Sequence, residues 1–334
     1  MADERNAPEV TVRELSARKL RMQEKLLRDF GPIIPKLLRD DDVVEIIVNP
    51  DGTLWVERLG RPIELIGQLG ADPNESATRA DTIIRDMAGY YGFLVTQQNP
   101  RVQAVVPWDG SRFHGLIPPN VDAPCFAIRR RASRVFELDE YVNGGIMEPV
   151  HAKAIKRAIA DHRNILVVGG TGSGKTTLLN AIIREMSYVN PDERLLIIED
   201  TAEVQALAKN RVNMLTSEHC SMSDLLKDCL RMRPDRILVG EVRGKEALDM
   251  LMAWNTGHEG GCATIHANNA AAGLTRLATL VRMADNPPNP IEPVIGEAVH
   301  VLVHIARTEE GRRIKGVLEV GGYLNGLYGF QTAA

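Results

Sequence analysis

Residues 164–186, NILVVGGTGSGKTTLLNAIIREM, decide how the chain folds. At their centre GGTGSGKT, 169–176, fits the spacing G-x-x-x-x-G-K-[ST]. An apolar run, ILVV, leads in and reads as a buried strand; TTLLNAIIREM leads out and reads as a helix. Strand, glycine-rich turn and helix in that order are the context that separates a phosphate-binding loop from a chance glycine cluster. Glycines let successive backbone N–H groups turn toward one anion, and the helix N-terminus adds partial positive charge. Gly170, Thr171, Gly172, Ser173, Gly174, Lys175, Thr176 and Thr177 are therefore the candidate phosphate ligands. Lys175, expected on a solvent-facing loop, reaches the β- and γ-phosphates, and the Thr176 hydroxyl is placed to ligate Mg²⁺. ATP and Mg²⁺ are the cofactors this pattern calls for.

Working outward, short apolar runs alternate with helical patterns: RLLIIED (194–200), RVNML (211–215), RILVGE (236–241) and GCATIHA (261–267). Such alternation predicts a mainly parallel sheet with helices on both faces, a RecA-like α/β domain over 151–334. Ligands of open α/β sheets bind beyond the carboxyl ends of the strands. Three strand ends carry chemistry there. RLLIIEDTAE ends in Glu199, Asp200 and Glu203; RILVGEVRG ends in Glu241 and Arg243; GCATIHA ends in His266. Glu199 and Glu203 are alternative proton acceptors for attacking water, and Glu241 joins Thr176 as a metal candidate. His266, with Gly257, Gly260 and Gly261 before it, is placed to distinguish ATP from ADP. Its nearest possible co-ligands, His258 and Cys262, form no compact zinc set. NPPNPIEP, 286–293, reads as a proline-rich loop.

Toward the N-terminus the pattern changes. VVEIIVNPDGTLWVERLGRPIELI (43–66) reads as three strands turning at Asp51-Gly52 and Gly60, followed by a helix over 75–91. Two strands around Asp109-Gly110 and one at CFAIRRR, 125–131, complete an α+β domain over 1–131 with a largely antiparallel sheet. Residues 132–150, with a Gly-Gly pair and little periodicity, read as a linker. Leu15, Met22 and Leu26 lie on one face of a leading helix, exposed and amphipathic, which either packs on its own domain or docks on a partner or membrane.

Composition narrows the class. Of 334 residues, 44% are hydrophobic and 25% charged, a globular balance with length for two domains. Forty Lys+Arg against 44 Asp+Glu give a net charge of −4, and aromatics are 4%, so direct nucleic-acid binding is not expected. Cys125, Cys220, Cys229 and Cys262 are scattered and suit a reducing compartment. The first 30 residues are charged throughout, without an apolar signal core, and no apolar run approaches the ~20 residues that span a bilayer.

Taken together, GGTGSGKTT, IIEDTAE, LRMRPDRILVGEVRG and TIHAN form an ordered set. The set resembles the secretion traffic ATPases, the hexameric rings of type IV secretion, type II secretion and type IV pilus systems. The resemblance spans both domains. It favours the type IV secretion branch on its conjugal-transfer side, because the four-cysteine insert usual in type II assembly ATPases is absent and the acidic box reads EDT rather than the EDP of pilus motors. It implies Glu203 as the base, Glu241 as the acid near Mg²⁺, His266 as the histidine-box residue, and arginines around the nucleotide. Candidates for these are Arg231, Arg233 and Arg243, with Arg101, Arg112, Arg129 and Arg130 from the first domain. It further implies a homo-oligomeric, hexameric ATPase at the cytoplasmic face of the inner membrane, partnered by membrane components of a secretion or conjugation machine. A RecA-like nucleic-acid motor and a nucleotide-gated scaffold with little turnover are the rival readings.

Overall fold

The computed structural model describes residues 12–58, 61–131, 134–217 and 219–332, and for 12–16 and 18 the backbone alone. Leu15's side chain lies outside the described set. The chain divides into two compact units, Met1–Ser133 and Arg134–Ala334.

The first unit runs α1 (Val12–Asp29), α2 (Ile33–Leu37), β1 (Val43–Val48), β2 (Thr53–Arg58), β3 (Glu64–Gln68), α3 (Pro73–Tyr90), β4 (Arg101–Val105), β5 (Arg112–Leu116) and β6 (Cys125–Arg129). Its six-stranded sheet has the order β3-β2-β1-β6-β5-β4 and is antiparallel throughout. Period-two alternation does the sorting. Val43, Ile46 and Val48 of β1 and Leu54 and Val56 of β2 are buried, in one core with Ile83, Ile84 and Met87 of α3. The hairpin turns where Gly52 takes φ +81 and Asp51 Oδ1 accepts the Thr53 N–H. α3 starts where the Asp72 carboxylate accepts the Glu75 N–H just ahead of Pro73. Leu26 and Phe30, at and just after the end of α1, are buried in the same core, so the end of the leading helix packs on its own unit.

The second unit runs α4 (Leu138–Asn143), α5 (Pro149–Ala160), β7 (Ile165–Gly169), α6 (Lys175–Val189), β8 (Leu195–Glu199), β9 (Arg211–Leu215), α7 (Met222–Cys229), β10 (Arg236–Val242), α8 (Glu246–Trp254), β11 (Cys262–His266), α9 (Ala270–Val281), α10 (Glu292–Ala298), β12 (Val301–Thr308), β13 (Gly311–Leu324) and β14 (Leu327–Thr332). The sheet order is β14-β13-β12-β7-β11-β10-β8-β9. Strands β12 to β9 along that order pair in parallel, and β13 and β14 add antiparallel. β7 and β8 are buried along their whole length, as parallel strands covered on both faces must be. Leu166, Val168, Leu196 and Ile198 face a core built with α7, α8, α9 and α10. Ile165, Val167, Leu195 and Ile197 face the other core, with α4, α5 and α6.

Two features differ from the sequence reading. The stretch 132–150 contains α4, and Leu138, Tyr141 and Met147 are buried in the second unit's core. The apolar spacing was too short to register as a helix, but a Glu137–Glu140 capping box sets its start. α10 begins inside the proline-rich 286–293, since Pro293 in the first helical turn needs no N–H partner. The C-terminal β12–β13–β14 meander adds two antiparallel strands to the mainly parallel sheet.

Candidate functional site

The loop between β7 and α6 turns tightly at Gly174, where φ is +98, a conformation that glycine adopts without cost. Ser173 is buried and donates its hydroxyl to the Gly170 carbonyl, 2.9 Å away. Lys175 is 7% exposed rather than solvent-facing. Its ammonium donates to the Gly170 carbonyl at 2.9 Å and stands 3.3 Å from both ring nitrogens of His266. The loop's own carbonyl and the β11 imidazole thus surround the lysine charge. Gly170, Thr171 and Gly172 are exposed on the turn, and Thr176 and Thr177 open α6 half-buried.

The acids divide into two sets by environment. Glu199 is 3% exposed, and its Oε1 accepts the backbone N–H of Glu203 at 3.0 Å and of Val204 at 2.8 Å. That carboxylate holds the loop after β8. Glu203, carried by the loop, accepts a hydrogen bond from the Thr176 hydroxyl at 3.2 Å. Asn180, buried on α6, anchors the same loop: its Oδ1 accepts the Gln205 N–H at 2.9 Å and its amide donates to the Glu203 carbonyl at 3.4 Å. Sequence reasoning passed over Asn180, whose signal is a polar residue inside the apolar LLNAII.

At the end of β10, Glu241 lies between the Arg243 guanidinium and the His266 imidazole. Arg243 Nη2 donates to its Oε2 at 2.5 Å, and His266 Nε2 lies 2.7 Å from its Oε1. The imidazole is close without the alignment of a hydrogen bond, so the buried Oε1 accepts none. Arg243 also lies 4.0 Å from Asp200. Its bond to Glu241 holds the guanidinium above its ordinary range. β10 and β11 are neighbours in the sheet, and β11 pairs His266 with Gly169 of β7. Parallel pairing therefore brings Lys175, Thr176, Glu203, Glu241, Arg243 and His266 to one sheet edge.

The other candidate arginines do not join this group within the second unit. Arg231 and Arg233 are exposed and precede the start of β10, at the end of the strand opposite Glu241. Arg101, Arg112 and Arg129 lie on β4, β5 and β6 of the first unit, where Arg129 faces Glu45 and Arg112 across the strands. Arg130 is tied to the same unit through the Asp40 carbonyl and Asp41.

The family model described as "Type II/IV secretion system protein" matches residues 28–313. The chain belongs to the type II/IV secretion system protein family. It is 44% identical to the probable conjugal transfer protein TrbB of Sinorhizobium fredii over 93% of this chain and 94% of that one. Against the conjugal transfer protein TrbB of Rhizobium radiobacter the identity is 45%, over 92% and 93%. The X-ray structure of the Legionella pneumophila ATPase DotB superposes with a TM-score of 0.61, covering 94% of this chain and 82% of that one, at 20% identity, a likeness of fold. For this member of the secretion family, no helix among the described residues is long and apolar enough to cross a membrane. No cluster of three His, Cys, Asp or Glu suited to a metal occurs among them. Burial pushes the Cys229 thiol up to about 12 and raises that of Cys262, so both behave as packing residues.

Burial, then the Lys175 charge, lowers the His266 pKa below its ordinary 6.5; Glu241 opposes the shift, and Arg243 and Arg276 add to it. Burial lowers His300 and His304 in the same direction. Below pH 6.5 the unfolded chain then binds more protons than the folded one, so stability falls on acidification and is regained above that pH. His300 gives a structural reason, since its Nδ1 accepts the Asn164 N–H at 2.9 Å and protonation removes that acceptor. The urea midpoint is expected to drop between pH 7.5 and 5.5, and His266→Gln to flatten part of the drop. An equal slope in the variant would mean that His266 titrates normally.

Proposed function

We propose that this chain is a Mg²⁺-dependent ATPase that works as a hexameric ring at the cytoplasmic face of the inner membrane and powers conjugative transfer or pilus assembly. The observation that carries the nucleotide chemistry is the meeting of the P-loop with a separate carboxylate, Thr176 Oγ1 to Glu203 Oε2 at 3.2 Å. Family membership and the TrbB relatives support the conjugation setting.

In this reading the backbone N–H groups from Gly170 to Thr176 surround the β-phosphate, and Lys175 leaves the Gly170 carbonyl to meet the β- and γ-phosphates. The Thr176 hydroxyl and the buried, unbonded Oε1 of Glu241 fit a Mg²⁺ ion, which commonly takes one or two protein oxygens together with substrate phosphates. When bound, the ion neutralises charge developing on the phosphate oxygens. Glu203 takes the proton of the attacking water, and Glu199 keeps the loop under it. His266, next to both Lys175 and Glu241, contacts the γ-phosphate and reports its loss. Arg101 and Arg129 are the first unit's candidates for nucleotide binding, an expectation carried by the family resemblance.

His266→Ala is expected to lower turnover by about 10- to 100-fold, the worth of one hydrogen bond to a charged group. ADP affinity should stay near that of the unaltered chain. Equal losses of ATP and ADP affinity would refute nucleotide sensing. The whole proposal is tested by measuring ATP hydrolysis together with oligomeric state, with and without DNA and lipid vesicles. Turnover by a six-membered species, indifferent to DNA, is the expected result. Hydrolysis that depends on DNA would indicate a nucleic-acid motor, and tight ATP binding with negligible turnover a nucleotide-gated scaffold.

A further inference from the structure

The side of the P-loop away from the acids is covered by the β12–β13 hairpin. A Cβ placed on Gly174 would lie 3.0 Å from Cδ and 3.3 Å from Nε of Arg312, and 3.5 Å from Cδ1 of Ile305. At Gly169 it would meet the Ile305 carbonyl at 2.4 Å. The Arg312 stem therefore lies against the loop backbone at the residue just before Lys175. Arg312 is exposed, and among the described residues no carboxylate pairs with it; its neighbour Arg313, by contrast, lies 3.6 Å from Glu310.

The sheet order gives this position a direction. His266 and Glu241 belong to β11 and β10 on one side of β7, and the Glu203 loop follows β8 beyond them; Arg312 belongs to β13, beyond β12 on the other side. A nucleotide whose γ-phosphate faces the acids must run its α-phosphate and nucleoside away from them, toward β12 and β13. The phosphates are already served by the loop N–H groups and Lys175. A planar, weakly hydrated guanidinium whose stem lies beside the loop is suited to the face of an aromatic ring.

We propose that Arg312 is the nucleoside contact of this site, its guanidinium stacked on the purine base of bound ATP or ADP, so that it sets nucleotide affinity from the side opposite the reaction. This deepens the nucleotide reading above and rests on it. The test is calorimetric binding of ATP, ADP and inorganic tripolyphosphate to the full chain and to its Arg312→Ala and Arg312→Lys variants, with steady-state kinetics alongside. Arg312→Ala is expected to weaken ATP and ADP alike by about 3- to 30-fold, the range of a cation–π contact, and to leave tripolyphosphate binding as it was. The kinetic loss falls on KM far more than on kcat, and Arg312→Lys recovers part of it. Unchanged ATP affinity in Arg312→Ala would overturn the proposal. An equal loss for tripolyphosphate would move the arginine onto the phosphates and overturn it as well. A full chain that binds no ATP would refute the nucleotide reading itself, a result distinct from normal ATP binding that is indifferent to Arg312.

Discussion

Lys175→Ala abolishes measurable ATP hydrolysis, with an expected loss of at least about 10²–10³-fold, the usual cost of removing one fixed charge donor from a developing anion. The structure alters the reason to expect a folded variant. Lys175 is buried, not solvent-facing, and its ammonium donates to the Gly170 carbonyl at 2.9 Å. The substitution removes that bond, and the Gly170 carbonyl keeps the Ser173 hydroxyl, 2.9 Å away. The packing of α6 rests elsewhere, on Leu178, Leu179, Ile182, Ile183 and Met186, all fully buried. A net loss of about 1 kcal/mol for one hydrogen bond corresponds to about 2–4 °C in Tm for a unit of this size. Hydrolysis close to that of the unaltered chain, in a variant with a normal melting curve, would remove Lys175 from the chemistry.

Glu203→Gln keeps the shape of the side chain and its bond from Thr176 but cannot accept a proton. Turnover is expected to fall by about 10²–10⁴-fold while ATP binding persists, which traps an ATP-bound assembly. Glu199→Gln is the contrasting variant. Its carboxylate is spent on the N–H groups of Glu203 and Val204, and one amide oxygen can still accept them. The expected effect is a milder activity loss together with lower thermal stability, because the loop carrying Glu203 loosens. If Glu203→Gln turns over normally while Glu199→Gln is inactive and fully folded, the base is Glu199. Single-turnover hydrolysis and a thermal melt on both variants decide it.

Much of this site is legible in the sequence because its parts are local. The P-loop is one continuous run whose spacing reflects backbone geometry; Glu241 and His266 lie at the ends of strands that apolar runs mark out, and Glu203 is on the loop after another. What escaped detection depends on distant partners. Asn180 looks like one polar residue on an apolar helix until its bond to the loop after β8 is seen. Arg312 sits in a charged hairpin, GRRIK, that carries no motif, and only the pairing of β13 with β12 brings it to Gly174. Arg236 reads as one more basic residue in RMRPDR, yet it is fully buried, paired with Glu193 and donating to the carbonyls of Gly260 and Ile159, each at 3.1 Å. Burial of such an ion pair requires every donor to find a partner, which no local pattern reports.

By itself the sequence determined the two-part organisation, the P-loop with its flanking strand and helix, and the set of strand ends that carry the acids and the histidine. These follow from short-range rules: side-chain period, turn residues and the reach of a backbone N–H. Tertiary structure alone decided which carboxylate is spent on holding a loop and which faces Thr176, and that the lysine is buried against an imidazole. It also decided which arginines stand at the P-loop and which at the opposite end of the sheet. Those outcomes depend on strand order, β12-β7-β11-β10-β8, and order is set by how two apolar faces of one sheet are covered together, a property of the whole core that no single segment carries.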